Sequence, residues 1–212
     1  MQALLAARER GVLLVPSTGR LLRSLPEPLL DKSLTRYHIL VNGAQVYDSF
    51  EDKTLLREEL TPQQAMCMLH FLKSHNVLRG VYIDGLGHMS REDFSEIEAV
   101  ATAALMRRSY QTDEDLDAVT AQHNSVQKII AFFRNPDDKQ ATIHEITARF
   151  PGYAVSSSLG NNIEINAKNA SKGSALCFLC EKIGVPIGQC MAFGDGTNDY
   201  SMLRAAGFGV AM

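Results

Sequence analysis

Apolar residues follow two rhythms along this chain. Short apolar runs at residues 12–15, 37–41, 126–133 and 190–193 have the length of buried strands. Other stretches repeat apolar residues three and four apart, the period of a helix with one buried face. Residues 1–10 predict a first helix, with Leu4, Leu5 and several alanines, stopped by Gly11. Residues 12–15 then predict a buried strand, residues 16–20 a loop, and a second helix begins near Arg20. Helix, strand, loop, helix is the alternation of a parallel sheet with crossover helices.

The chain then becomes less regular. Residues 37–41 and 45–48 predict strands around Asn42-Gly43-Ala44, and Asn-Gly between two apolar runs is a hairpin signal. From about Ser49 the character changes, starting with strand-like residues 53–57. Thr61-Pro62 supplies an N-cap and a first-turn proline. Ala65, Met66, Leu69 and Leu72 then mark one helix face, with Met66 and Met68 read as core. Residues 79–83 form a β-rich run closed by Asp84-Gly85, and Ser90 opens a helix with Asp93 at the capping-box position. Asp113-Glu114-Asp115 with Asp117 reads as a solvated helix start. Residues 126–133 predict a strand with Lys128 inside it, and Pro136 begins a helix to residue 149. Residues 153–157 and 162–166 predict a hairpin around Leu159-Gly160-Asn161. This block has no glycine-rich phosphate loop. It reads as an α+β domain over residues 49–166, inserted between core segments 1–48 and 167–212.

Composition narrows the function. The 212 residues are 45% hydrophobic and 21% charged, with a net charge of −3, as in an ordinary globular chain. Without a long basic run, nucleic acid is not an indicated partner. No apolar run reaches the ~18 residues of a membrane-spanning helix. Residues 1–11 lack a signal-peptide core, so a cytoplasmic protein is expected. Nothing indicates an oligomer. Cys177 and Cys180 form a CxxC without a second pair, which predicts buried thiols and no zinc site. The six histidines lack metal-ligand spacing and read as surface or half-buried residues.

Candidate chemistry sits at strand ends. Residues 190–193 stop at Gly194-Asp195-Gly196-Thr197-Asn198-Asp199, ahead of helical residues 200–206. Two carboxylates and an amide at the carboxyl end of a strand occupy the place where open α/β sheets hold ligands. Mg2+ takes oxygen ligands, usually one or two carboxylates plus substrate phosphate. Ser17-Thr18-Gly19-Arg20 offers hydroxyls and N–H groups, either to an anion or as a helix N-cap. Ser171 is an N-cap for a helix to Lys182, which leaves Lys172 in the first turn, where the dipole disfavours a cation.

These strings resemble the haloacid dehalogenase-like (HAD) phosphohydrolases of the Cof-type, cap class IIB branch. GDGTNDYSML resembles their fourth motif, Ser171-Lys172-Gly173 their third, and Thr18-Gly19-Arg20 their second, while Asn42-Gly43-Ala44 resembles their core–cap boundary loop. The resemblance implies an α/β fold, with a Rossmann-like core and a class IIB cap in the inserted block. It implies a Mg2+-dependent phosphatase of small phosphorylated metabolites such as sugar phosphates. Thr18 and Lys172 would be the catalytic residues, Thr18 with Gly19 holding phosphate oxygen and Lys172 neutralising its charge. Asn42, Gly43 and Asn198 would face substrate or phosphate, and Asp195 with Asp199 would hold Mg2+.

The family's first motif, DxDGT, carries its nucleophile and general acid/base and has no counterpart here. No aspartate precedes Thr18, and Asp113-Glu114-Asp115 lies in the inserted block. The closing GVAM leads, in the family, into a further strand and helix. The expectation is a core incomplete at both ends and an inactive chain. The alternative is a non-catalytic fragment or phosphometabolite-binding module of the same fold.

Overall fold

The computed structural model describes residues 2–98 and 109–212. The chain opens with α1 (Gln2–Glu9), which ends at Gly11 in a left-handed conformation, φ +82°. Residues 12–15 are not the buried strand their composition predicts. They run beside β1 (Tyr37–Leu40) through isolated parallel bridges, Leu14 to Thr35 and Ser17 to Ile39. Val12 and Leu13 remain 49% and 44% exposed. The helix expected from Arg20 is a single 3-10 turn, Leu22–Ser24. Pro26 and Pro28 explain this, since proline lacks the N–H and pushes its predecessor to extended backbone. β1 returns through a tight turn, Val41–Gly43, into β2 (Gln45–Asp48), so the Asn-Gly hairpin forms as expected. β2 pairs in turn with β3 (Lys53–Arg57).

The inserted block is a mixed sheet with helices on one face, while Phe94 and Ile97 of a further helix pack on the other. α2 (Pro62–Leu72) starts at a complete capping box between Thr61 and Gln64. Its buried face is Ala65, Met68, Leu69 and Leu72, with Met66 only half-buried. β4 (Val77–Ile83) turns at Asp84-Gly85, both at positive φ, into β5 (Leu86–Ser90). Ser90 Oγ then accepts the Asp93 N–H at 3.0 Å and opens α3 (Arg91–Glu98). β6 (Tyr110–Asp113), α4 (Leu116–Gln122), β7 (Lys128–Phe133) and α5 (Asp138–Arg149) follow. The hairpin of β8 (Tyr153–Ser156) and β9 (Asn162–Ala167) completes a sheet of order β6-β5-β4-β7-β9-β8.

Period-two alternation sorts the residues of this sheet. Val81, Ile83, Ile129, Ala131, Ile163 and Ile165 pack against α2, α4 and α5. Leu78, Tyr82, Met89 and Ile130 face the other way and bury Leu21, Leu25, Leu40 and Val41. That second face also carries Lys128, Glu164 and Asn166, so the polar residues of β7 and β9 point at the first segment of the chain. His38 and His88, expected near the surface, are buried, His38 because it bonds the Leu29 carbonyl and His88 because it bonds Asp113.

α6 (Lys172–Ile183), capped by Ser171, lays Ala175 and Leu179 on Tyr37, Ile39 and Val46. β10 (Met191–Gly194) leads through the GDGTND loop into α7 (Tyr200–Ala205) and pairs in parallel with β11 (Phe208–Ala211). β10 is not buried along its length, since Met191 and Phe193 are 59% and 57% exposed. The CxxC is split by its helix: Cys180 is buried against Cys190 at 3.3 Å, but Cys177 points outward and is exposed, contrary to expectation. Among the described residues no helix is long and apolar enough to cross a membrane.

Candidate active site

Four segments distant in sequence meet beneath β7 and β9. They are Thr18-Gly19, the Val41–Gly43 turn, the start of α6 and the loop after β10. Glycine makes one of these meetings possible: a Cβ on Gly43, at φ +94°, would lie 2.1 Å from the Ser171 carbonyl oxygen. Thr18 is tied to β1 and its turn through its backbone. Its N–H donates to the Ile39 carbonyl at 2.9 Å, and its carbonyl accepts the Asn42 N–H at 3.0 Å. Thr18 Oγ1 accepts the Arg20 N–H at 3.2 Å, which leaves its hydroxyl proton available to a ligand.

Lys172 is buried in the first turn of α6, where the dipole opposes its charge, and it meets a carboxylate there. Its Nζ donates to Asp199 Oδ1 at 2.5 Å. Asp199 Oδ2 accepts the N–H groups of Asp195 and Gly196 at 3.1 and 3.0 Å. Burial pushes the Asp199 carboxyl up, but the Lys172 bond and the two N–H groups outweigh it and hold the group below its ordinary 3.8.

Asn198 Nδ2 donates to Asn42 Oδ1 at 3.1 Å. Asn42 Nδ2 donates to Glu164 Oε2 at 2.5 Å, and Glu164 Oε1 accepts Lys128 Nζ at 3.0 Å. Burial raises the Glu164 carboxyl, and the Lys128 charge with the bonds from Asn42, Lys128 and Ser158 brings it below its ordinary 4.5. Sequence reasoning missed Lys128 and Glu164. The available signal was the strict alternation Asn162-Ile163-Glu164-Ile165-Asn166, a strand with one apolar and one polar face. The structure thus joins Thr18, Gly19, Asn42, Gly43, Lys172, Asn198 and Asp199 through bonds or close contacts. No hydrogen bond links Thr18 directly to Lys172.

Asp195 stands apart. Its carboxylate is exposed and makes no hydrogen bond or ion pair among the described residues. Among those residues no three His, Cys, Asp or Glu side chains converge as a metal cluster. The donors nevertheless fit Mg2+, which needs one or two carboxylates and completes its shell with water and phosphate. Asp195 offers a free carboxylate, and Asp199 retains lone-pair capacity beyond its three bonds.

The chain was compared with known proteins. The family model for haloacid dehalogenase-like hydrolases matches residues 1–212. The chain is 26% identical over 212 residues to the 5-amino-6-(5-phospho-D-ribitylamino)uracil phosphatase of Bacillus subtilis (strain 168), covering 100% of this chain and 74% of the relative. It is 29% identical over 213 residues to the HMP-PP phosphatase of Klebsiella pneumoniae (strain 342), covering 100% and 75%. Among solved structures it superposes on a haloacid dehalogenase-like hydrolase from B. subtilis with a TM-score of 0.83 at 24% identity, covering 100% of this chain and 81% of that one. A HAD subclass IIB sugar phosphatase aligns with a TM-score of 0.81 at 20% identity, covering 100% and 78%. With the lysine, the threonine and the Gly-Asp-Gly-Thr-Asn-Asp loop brought together on this fold, and the family model spanning every residue, the chain belongs to the haloacid dehalogenase-like hydrolases.

Proposed function

We propose that the chain builds the phosphate site of a Mg2+-dependent phosphatase acting on small phosphorylated metabolites, sugar phosphates among them. The observation that carries this reading is the convergence of Lys172, Asn198 and the Thr18 loop, with the Asp195 carboxylate exposed and unbonded among the described residues on the same loop as Asn198. Phosphoryl transfer asks a protein mainly for positioning and charge stabilisation. Thr18 donates its free hydroxyl proton to a phosphate oxygen, Lys172 supplies positive charge, and Asn198 orients the ligand. Asn42 and Gly43 form the wall on the inserted-sheet side, and Gly19 allows close approach. Asp195, with Asp199, would hold Mg2+, which neutralises charge on the phosphoryl oxygens. Residues 1–48 and 167–212 are assigned to the core and residues 49–166 to the cap that covers it. The phosphatases among the relatives support this reading.

We further propose that the chain binds phosphate without supplying the covalent nucleophile. No aspartate precedes Asp31, and among the described residues Lys172 pairs only with Asp199. Losing a nucleophile costs about 10⁶ in rate, roughly 8 kcal/mol. Calorimetric titration with inorganic phosphate, with and without Mg2+, tests the site. Binding should require Mg2+ and be lost in Asp195→Asn, while p-nitrophenyl phosphate is not hydrolysed. Phosphate binding that ignores both Mg2+ and Asp195 would sink the metal assignment, and rapid hydrolysis would sink the missing nucleophile.

A further inference from the structure

We infer that Lys128 and Glu164, an ion pair on the inserted sheet, are positioning residues that set the Thr18 hydroxyl and the Asn198 amide. This rests on the phosphate-site reading above. Lys128 Nζ donates to the Gly19 carbonyl oxygen at 2.8 Å. That carbonyl shares one planar peptide unit with the Arg20 N–H, which is donated to Thr18 Oγ1 at 3.2 Å. A single rigid plane therefore joins a cap lysine to the phosphate-binding hydroxyl. The cation on the carbonyl polarises the unit and makes its N–H a better donor. The Thr18 lone pair is thereby occupied, and the hydroxyl proton is left for the ligand.

Glu164 acts through the second route. It takes Asn42 Nδ2 at 2.5 Å, which fixes the amide so that Asn42 Oδ1 faces the other way and accepts Asn198 Nδ2 at 3.1 Å. Lys128 is 1% and Glu164 4% exposed, so neither serves the surface. A buried ion pair adds little net stability over apolar residues of the same volume. What apolar residues could not provide here is a donor for Gly19 and an acceptor for Asn42.

The test measures inorganic phosphate binding in the presence of Mg2+ by calorimetry, with thermal melting on the same samples, for wild type, Lys128→Met, Glu164→Gln and the double variant Lys128→Met/Glu164→Met, which supplies neither donor nor acceptor. Each single variant leaves one buried charge unbalanced and melts lower, and the double variant recovers most of that loss. The inference expects the double variant to bind phosphate at least tenfold more weakly despite its regained stability. The Asn198 side-chain NH2 resonances should shift in Glu164→Gln. Phosphate binding by the double variant within twofold of wild type makes the pair merely structural and overturns the inference alone. A wild-type chain that binds no phosphate overturns both the inference and the reading beneath it. Should the double variant fail to fold, Glu164→Gln decides by itself: it keeps the side-chain volume, and binding within twofold of wild type overturns the inference.

Discussion

Replacing Asp199 by asparagine keeps the shape of the side chain and removes its charge. In the folded chain Asp199 Oδ1 takes the Lys172 ammonium and Oδ2 takes two backbone N–H groups. An asparagine carbonyl could keep the two N–H donors, but its NH2 would then face the ammonium, donor against donor. Lys172 is 5% exposed, so water cannot stand in for the lost carboxylate. Removing one partner of a buried pair costs about 3–5 kcal/mol. Lys172→Met should cost less, about 1–3 kcal/mol, because Asp199 keeps its two N–H donors. At about 2–4 °C per kcal/mol for a chain of this size, Asp199→Asn should melt about 6–20 °C below wild type by circular dichroism at neutral pH. The pH dependence has a definite sign. Because the folded-state pKa of Asp199 lies below 3.8, its stabilising contribution is complete above 3.8 and is lost as pH falls through the lowered value. The gap between wild type and Asp199→Asn should therefore narrow in acid below 3.8. An Asp199→Asn protein that melts with wild type, a costlier Lys172→Met, or a gap that widens in acid refutes this account.

Other outcomes follow from the same structure. Gly43→Ala should lower the urea midpoint far more than Gly152→Ala, because its Cβ would meet the Ser171 carbonyl oxygen at 2.1 Å whereas nothing lies within 4 Å of the latter. A thiol reagent should modify the exposed Cys67 and Cys177 first. Cys180 should lag, because burial and its neighbours Cys190 and Cys177 push its thiol up to about 12. Burial holds His38 below its ordinary 6.5, so the unfolded chain takes up a proton that the folded chain refuses as pH drops under 6.5. Urea midpoints should accordingly fall between neutrality and about pH 5 in wild type, and less steeply in His38→Gln.

Local chemistry was legible in the sequence and neighbourhood was not. The caps at Thr61, Ser90 and Ser171 are spelled within a few residues and form as read. The GDGTND loop and Lys172 are also short strings, and they came together in the folded chain. The apolar runs at residues 12–15 and 190–193 were misread as buried because composition does not say how many neighbours a strand has. The helix expected from Arg20 takes in Leu21, Leu22 and Leu25. They are anchors under the sheet, and Pro26 and Pro28 cut the turn short. Lys128 looked like an interruption in an apolar strand. Its meaning depends on Gly19, 109 positions earlier, and no local pattern reports a partner that far away.

The proposed cap, residues 49–166, invites exchange: a different insert on the same base should alter what is recognised. The Lys128–Gly19 and Glu164–Asn42 bonds limit that freedom here. A graft that replaced residues 49–166 wholesale would remove the lysine under the Gly19 carbonyl and the acceptor for Asn42. A transplanted domain must therefore bring its own cation and carboxylate at the positions facing the base, on neighbouring antiparallel strands like β7 and β9. Changing the exposed Leu159 and Gly160 at the β8–β9 hairpin tip, while keeping Ser158, whose Oγ donates to Glu164 Oε1 at 3.0 Å, leaves those two bonds in place and is the gentler route to a new specificity.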